Sequence, residues 1–252
     1  TKRSVALTAT GQALLPEVLE LLARAQALPE HARAAAAGEL GRLRLAFVST
    51  VGFALLPQWL RGFRALYPQV RVELTEATGD VQLQAFAGDE IDAGFMLHAT
   101  GFAPAGLARH RIAQEPLVLA LPEQHPLAAA QVLTLDAVLA EPLVIFPRRI
   151  VPSLFDAIFA LYHAAGHSPQ VAQEAIQMQT IVNLVSAGLG VAWVPESVRQ
   201  FQRPGVVYRA LGRQGAGGKG LAVPGCETSL VWREGSPSPS LERFIGFVRE
   251  TP

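Results

Sequence analysis

Residues 8–37 carry a helical pattern that differs from the rest of the chain. Apolar residues recur there at alternating steps of four and three, the heptad spacing that places them on one stripe of a helix. Thr8 is suited to cap such a helix, and Gly38 to end it. The stripe consists of Leu14, Val18, Leu21, Ala25 and Leu28.

Two roles fit this helix. It could pack on its own domain, or it could join two subunits. The length of the stripe and its position ahead of a separate α/β pattern favour the second role. Pro16 and Pro29 predict that the helix is kinked or interrupted, because proline lacks the N–H group that a helix interior needs.

From residue 42 onward, strand-like and helix-like patterns alternate. This alternation predicts an α/β fold with parallel sheets covered on both faces. It occurs in two blocks, 42–112 and 117–211, which indicates two small lobes with a cleft between them. The last strand and helix could complete either block. The predicted strands are 43–48, 70–74, 91–97, 117–121, 143–146, 191–194, 206–211 and 229–232, and the predicted helices are 55–67, 81–87, 153–165, 179–187 and 241–249.

Composition narrows the class of protein. Half of the 252 residues are hydrophobic, and the 21 basic and 21 acidic residues cancel, which excludes a globally basic nucleic-acid binder. Cys226 is the only cysteine, which excludes an intrachain disulfide. The apolar runs are too short to span a membrane and the start has no secretory core, so we expect a cytoplasmic protein without membrane contact. The lack of a starting Met indicates a fragment or a processed chain.

Motifs for catalysis and cofactors are weak. Residues 215–220 match G-x-G-x-x-G by letter, but no helix pattern follows them, so the match indicates a loop and not nucleotide binding. His163 and His167 have a metal-like spacing, but Gly166 should end their helix between them. We therefore expect neither a cofactor nor a metal.

Polar and aromatic residues follow several predicted strands, at the positions where ligands of open α/β sheets bind. Hydroxyl groups and free N–H groups at helix starts favour a small anion. Ser49 and Thr50 could instead be simple helix caps, and Arg148 and Arg149 could be exposed loop charges. The stretches are Ser49-Thr50, Thr78-Gly79, Phe95 to His98, Phe146-Pro147-Arg148-Arg149 and the helix start Gln177 to Thr180.

Three parts of the chain resemble the LysR-type transcriptional regulators. Residues 4–11 are similar to the end of that family's winged helix-turn-helix domain, where a V-x-L-T-x-x-G stretch leads into a linker helix. Residues 185–195 match the V-x-x-G-x-G segment of the second lobe. The first lobe is matched by Leu55-Leu56-Pro57, Phe63, Tyr67-Pro68, Val72-Glu73-Leu74, Glu76, Gly88 and Ile91-Asp92-Ala93-Gly94-Phe95.

The resemblance implies two Rossmann-like lobes of the type 2 periplasmic-binding-protein kind, preceded by a long helical linker. Residues 1–40 would form the end of the winged helix-turn-helix domain and the dimerisation helix. Residues 41–252 would form the effector-binding domain, with lobe I at about 41–115 and 222–252 and lobe II at about 116–221.

The resemblance also implies a small inducer in the cleft. Within the family, the chain looks closest to regulators that answer muconates and related compounds, so a carboxylated inducer is expected, with aromatic or dicarboxylic acids as candidates. The chain should form a homodimer or homotetramer and reach promoter DNA only through helices upstream of Thr1. The candidate contacts are Ser49, Thr50, Thr78, Gly79, Phe95, Phe146, Pro147, Arg148 and Gln179.

In this interpretation the inducer shifts the population of lobe arrangements and thereby rearranges the subunits. Two alternatives use the same scaffold. A free-standing solute-binding protein would carry an export signal, and none is seen. An enzyme would need a nucleophile or an acid–base pair at the cleft. Glu76 and Asp80 lie near one strand end, but Asp80 fits a turn or helix start better.

Overall fold

The computed structural model describes residues 5–53, 55–211, 221–235 and 237–251, in which helices and strands alternate after a long first helix. The α-helices are α1 (Ala9–Ala36), α2 (Leu55–Leu66), α3 (Gly79–Ala87), α4 (Pro126–Ala129), α5 (Leu135–Leu139), α6 (Pro152–Ala165), α7 (Met178–Ser186) and α8 (Pro239–Glu250). The strands are β1 (Leu40–Phe47), β2 (Gln69–Glu76), β3 (Ala93–Ala99), β4 (Leu107–Pro122), β5 (Leu143–Ile145), β6 (Val171–Glu174), β7 (Ala192–Pro195), β8 (Val206–Arg209) and β9 (Gly225–Arg233). Short 3₁₀ helices lie at Ser49–Phe53 and Glu196–Phe201.

The sequence predicts a kink or an interruption at Pro16 and Pro29; helix α1 runs through both prolines, so an interruption is wrong. The residues between the two prolines form about three turns, and extending a helix costs far less than nucleating a new one. Thr8 caps α1 as predicted, because its hydroxyl accepts a hydrogen bond from the Gly11 amide at 3.1 Å. None of the residues of α1 is buried, so its apolar stripe is open to solvent.

The main sheet is mixed and not parallel throughout, which corrects the prediction. β1 pairs in parallel with β2 and β3, whereas β9 lies antiparallel between β3 and the first half of β4. The second half of β4 pairs antiparallel with β7 and β8. The pair of β4 and β9 is antiparallel because β4 carries the chain out of the first lobe and β9 brings it back.

Each lobe has its own hydrophobic core. In lobe I, Phe63 of α2 is fully buried and meets Phe244 of α8 edge to face, with ring centroids 5.1 Å apart. The hydrophobic pattern left the lobe of helix α8 open, and the resemblance placed it in lobe I; the structure packs it there. In lobe II, Tyr162 of α6 lies in one cluster with Leu119 of β4. Burial raises the pKa of the Tyr162 hydroxyl to about 12.

The weak motifs of the sequence do not form a ligand or metal site among the described residues. The glycine-rich match at 215–220 and residues 1–4 lie outside the described residues. Among the described residues, no three metal-binding side chains lie together, and His167 instead lies 3.3 Å from the carboxylate of Asp136. None of the described helices combines the length and the hydrophobicity of a bilayer-spanning segment.

The C-terminal end of α1 is fixed to lobe I. Arg243 of α8 donates from Nε to the carbonyl of Ala37 at 2.7 Å, and its guanidinium lies 5.8 Å from the centre of the Tyr67 ring. A cation at this end also meets the negative end of the helix dipole. Gly38 follows with φ of +73°, and a Cβ placed there would lie 2.2 Å from the carbonyl oxygen of Pro239.

Replacing Gly38 with Ala should therefore destabilise the protein more than the same change at Gly166, which has φ of +85° and open space around it. We expect Gly166→Ala to cost about 1–2 kcal/mol for the left-handed backbone. We expect Gly38→Ala to cost roughly 1–3 kcal/mol more, because a backbone carbonyl must move. Urea unfolding of both variants measures the difference, and equal losses would contradict the close approach.

Candidate ligand-binding site between the lobes

A cavity of about 40 Å³ lies between the two lobes. One wall comes from the segments that follow β1 and β2, together with β3. The opposite wall comes from the segments that follow β5 and precede α7. The first wall is formed by Val48, Ser49, Thr50, Ala77, Thr78 and Leu97. The second wall is formed by Phe146, Ile150, Val151, Ile176, Gln177 and Met178.

Among the described residues that line the cavity, Thr50 is the one with a fully buried polar atom that lacks a partner. Only 8% of its surface is exposed, and its hydroxyl oxygen is buried without a hydrogen-bond partner. It lies in the 3₁₀ helix directly after β1, because the chain must turn there from the sheet into α2. An unpaired buried hydroxyl costs about 1–3 kcal/mol. A ligand that accepts a hydrogen bond from Thr50 would remove this cost.

Two helices begin at the cavity, one from each lobe. Thr78 precedes α3 and Gln177 precedes α7, and neither side chain caps its helix. The hydroxyl of Thr78 instead bonds the carboxylate of Asp80. The first-turn N–H groups of a helix have no partner within it and carry a partial positive charge. The N-cap positions of two helices therefore line the cavity from opposite sides.

None of the residues that line the cavity carries a formal charge. Arg148 lies outside it and forms two hydrogen bonds of 2.7 Å with Asp156. These bonds raise the pKa of Arg148 and hold the pKa of Asp156 below its usual value. The Nε atom of Arg149 is 3.7 Å from the carboxylate of Asp80. Both arginines thus have acidic partners on the protein.

A second cavity, of about 210 Å³, also has Thr50 in its wall. Residues of both lobes and of both crossing strands line it, among them Glu115 of β4 and Thr228 of β9. Glu115 accepts hydrogen bonds from the amide and the hydroxyl of Ser197 at 2.6 and 3.1 Å. Its carboxylate is therefore held by the start of the second 3₁₀ helix.

The structure brings four of the predicted contacts to the interlobe cavity: Ser49, Thr50, Thr78 and Phe146. Gly79 touches the facing lobe, because a Cβ there would lie 2.8 Å from the carbonyl oxygen of Ile150.

The other predicted contacts lie elsewhere. Phe95 is fully buried in the lobe I core, where it stacks on Trp59 at 5.6 Å between ring centroids. Pro147 is buried outside the lining, Arg148 is exposed, and Gln179 is half-buried as the second residue of α7.

Sequence reasoning did not place Gln177 or the aliphatic lining residues among the candidate contacts. Gln177 opens one of the stretches named from the sequence, but the predicted helix begins at residue 179, whereas α7 begins at Met178 and has Gln177 as its N-cap. The aliphatic residues could not have been found, because a cavity-facing side chain and a core side chain have the same pattern along a strand. Phe95 and Leu97 lie two positions apart on the same face of β3, yet only Leu97 reaches the cavity.

Residues 36–252 match the model of a protein family described as the LysR substrate binding domain. The chain belongs to the LysR family of transcriptional regulators. It is 42% identical to the HTH-type transcriptional regulator IlvR of Caulobacter vibrioides, over 99% of this chain and 81% of that protein. It is 30% identical to the regulator AlsR of Bacillus subtilis, over 97% of this chain and 78% of that protein.

Solved structures of LysR-family proteins share its fold. The regulator CbnR superposes with a TM-score of 0.74 at 30% identity, over 99% of this chain and 83% of CbnR. The effector-binding domain of BenM with its effector benzoate superposes with a TM-score of 0.65 at 23% identity, over 83% of this chain and 91% of that domain. This LysR-family chain thus has a periplasmic-binding-protein-like effector-binding domain, and the solute-binding alternative has no support among these relatives.

Replacing Gly79 with Ala should prop the lobes apart at one point. The new Cβ would lie 2.8 Å from the Ile150 carbonyl oxygen and 3.2 Å from the terminal carbon of Met96. Overpacking against a backbone atom costs about 1–3 kcal/mol. For a chain of this size we expect the unfolding midpoint to fall by roughly 2–12 °C in calorimetry.

Gly246→Ala is the matched control, because that glycine lies in α8 with nothing within 4 Å of a built Cβ. It should leave the midpoint unchanged or raise it. An unchanged midpoint for Gly79→Ala would show that the two lobes do not press together there.

Proposed function

We propose that this chain is the ligand-sensing and oligomerising portion of a LysR-type regulator and that the interlobe cavity binds a small carboxylated inducer. The observation that carries the proposal is the meeting of two helix starts and an unpaired buried hydroxyl at one cavity. Each lobe supplies one helix, so a ligand bound there would contact both lobes.

A carboxylate is the group that best satisfies these donors. Each helix start favours an anion by about 0.3–1 kcal/mol. The carboxylate of Asp80 already lies in the first turn of α3, so the start of α7 is the stronger of the two. A charged acceptor would also give the hydroxyl of Thr50 the partner that it lacks.

Binding requires a change in the lobes. The cavity of about 40 Å³ is far smaller than the ~300–1,000 Å³ of common ligand sites. An inducer would therefore favour a more open arrangement of lobe I (41–115 and 222–252) and lobe II (116–221). A ligand that binds one arrangement better shifts the population toward it. The crossing strands β4 and β9 would act as the hinge.

The apolar stripe of α1 supports self-association. At about 1.5 Å per residue, the 28 residues of α1 span roughly 42 Å. A helix of this length with an uncovered apolar face is typical of an interaction surface. We propose that α1 helices of two copies pair in a homodimer or homotetramer, so that the lobes set the arrangement of subunits on promoter DNA. CbnR has been solved in complex with its target DNA.

Thr50→Val should separate ligand binding from folding. A thermal-shift screen of small carboxylates first identifies the one that raises the unfolding temperature most. Loss of one hydrogen bond to a charged group costs about 1.5–3 kcal/mol, so the affinity of the variant for that carboxylate should fall roughly 10- to 150-fold in calorimetry. Stability without ligand should not fall in urea unfolding, because the hydroxyl that is removed has no partner.

Arg148→Ala is the control for this experiment. Its guanidinium is engaged by Asp156 outside the cavity, so affinity should stay within about twofold of the original. Equal affinity of the Thr50 variant and the original protein would reduce Thr50 to a structural residue.

Charges placed on the α1 stripe should dissociate the oligomer. We expect Leu14→Glu with Leu21→Glu to lower the mass in light scattering, because both side chains are more than half exposed and would face the partner helix. Ala23→Glu is the control, since Ala23 lies about 200° around the helix from Leu21. An unchanged mass for the double variant would place the subunit contact elsewhere.

A further inference from the structure

We infer that Arg149 and Asp80 form an electrostatic latch that holds the two lobes in their narrow arrangement and opposes the opening on which the proposed function rests. Asp80 lies in the first turn of α3, in lobe I. Arg149 lies in the segment between β5 and α6, in lobe II. The Nε atom of Arg149 is 3.7 Å from Oδ2 of Asp80, so the ion pair crosses the cleft between the lobes.

The latch lies beside a second contact between the same two segments. A Cβ on Gly79 would lie 2.8 Å from the carbonyl oxygen of Ile150, so two consecutive residues of lobe I meet two consecutive residues of lobe II. Thr78 and Ile150 also line the interlobe cavity from opposite walls. Widening of the cavity between these walls therefore separates the charges of the ion pair.

Arg148, the neighbour in sequence, forms an ion pair of the other kind. Both of its hydrogen bonds, at 2.7 Å, go to Asp156 of α6, which lies in the same lobe. Movement between the lobes leaves that pair intact. The side chains of Arg148 and Arg149 are 63% and 62% exposed, so the two arginines differ mainly in whether the acidic partner belongs to the same lobe.

The half-buried carboxylate of Asp80 makes the latch sensitive to opening. Its side chain is 27% exposed, and its other oxygen accepts a hydrogen bond from the hydroxyl of Thr78. In the narrow arrangement, the charge of Arg149 offsets the hydration that this carboxylate has lost, and water does so once the lobes part. Among the described residues, no other cation forms an ion pair with Asp80. Loss of Arg149 would therefore favour the open arrangement.

The backbone amide of Ala99 can report opening directly. It belongs to β3 of lobe I and donates to the hydroxyl of Ser153 in α6 of lobe II at 3.1 Å. Parting of the lobes breaks this bond and exposes the amide to water, so its hydrogen-exchange rate follows the fraction of open molecules. The amide of Leu45 serves as the reference, because β1 lies between β2 and β3 and exchanges only when lobe I itself opens.

Hydrogen exchange of this chain without added ligand tests the latch. Because partly exposed ion pairs are weak, Arg149→Gln should speed exchange at Ala99 by roughly 1.5- to 5-fold and leave Leu45 unchanged. Arg148→Gln is the matched control and should leave both rates unchanged. Arg149→Lys should keep part of the protection at Ala99, because it keeps the charge. Equal rates at Ala99 in the original protein and in Arg149→Gln would overturn the latch.

A double-mutant cycle attributes the effect to the ion pair. In an Asp80→Asn background, Arg149→Gln should change the Ala99 rate by less than about 1.5-fold, because the partner charge is already gone. Sodium chloride at about 1 M shortens the Debye length to about 3 Å and should reduce the effect of Arg149→Gln in the original background. A full effect in the Asp80→Asn background would overturn the ion pair as the cause.

These outcomes are distinguishable from a failure of the proposed function, because the exchange experiment contains no ligand. Unchanged exchange in Arg149→Gln would overturn the latch and leave the inducer site as proposed. Failure of every small carboxylate to bind would overturn the inducer site. Faster exchange at Ala99 in Arg149→Gln, and not in Arg148→Gln, would still support the latch.

Discussion

The ladder between β4 and β9 is the constraint on which the two-lobed arrangement depends. It pairs Leu107 with Arg233 at one end and Pro116 with Gly225 at the other, and both strands continue from lobe I toward lobe II. Buried polar contacts reinforce this region, since the ring of His98 lies 2.9 Å from the hydroxyl of Ser229. A hydrogen-bonded ladder resists sliding, so it holds the two crossing strands in one register.

The interlobe cavity lies beside this ladder and contains groups that folding leaves unsatisfied. The buried hydroxyl of Thr50 and the uncapped starts of α3 and α7 have donors without partners. Their cost is small beside the burial energy of two cores, so the fold tolerates it. Under the proposed function, the same groups would give a bound anion a differential affinity for one lobe arrangement, which a population shift requires.

Helix α1 contributes no buried residue to the lobes, but its C-terminal end is hydrogen-bonded to lobe I. A second copy of the chain is the partner proposed for it. Arg243 bonds the carbonyl group of its C-cap residue Ala37, and Gly38 permits the following turn to lie against α8. Because α8 packs on α2 through Phe63 and Phe244, the direction of α1 follows the orientation of lobe I.

The sequence by itself determined the long capped helix, the two α/β blocks and the strand ends that supply Ser49, Thr50 and Thr78, because these depend on local periodicity and capping. It did not determine β6, whose residues are exposed, or the first half of β4, whose residues are half-buried or exposed and lack an apolar alternation. Only the tertiary structure decided that Phe95 belongs to a core while Leu97 lines a cavity, and that Arg148 is paired elsewhere. Those distinctions depend on contacts between segments that are far apart in the sequence, and local periodicity does not indicate which segments will pack together.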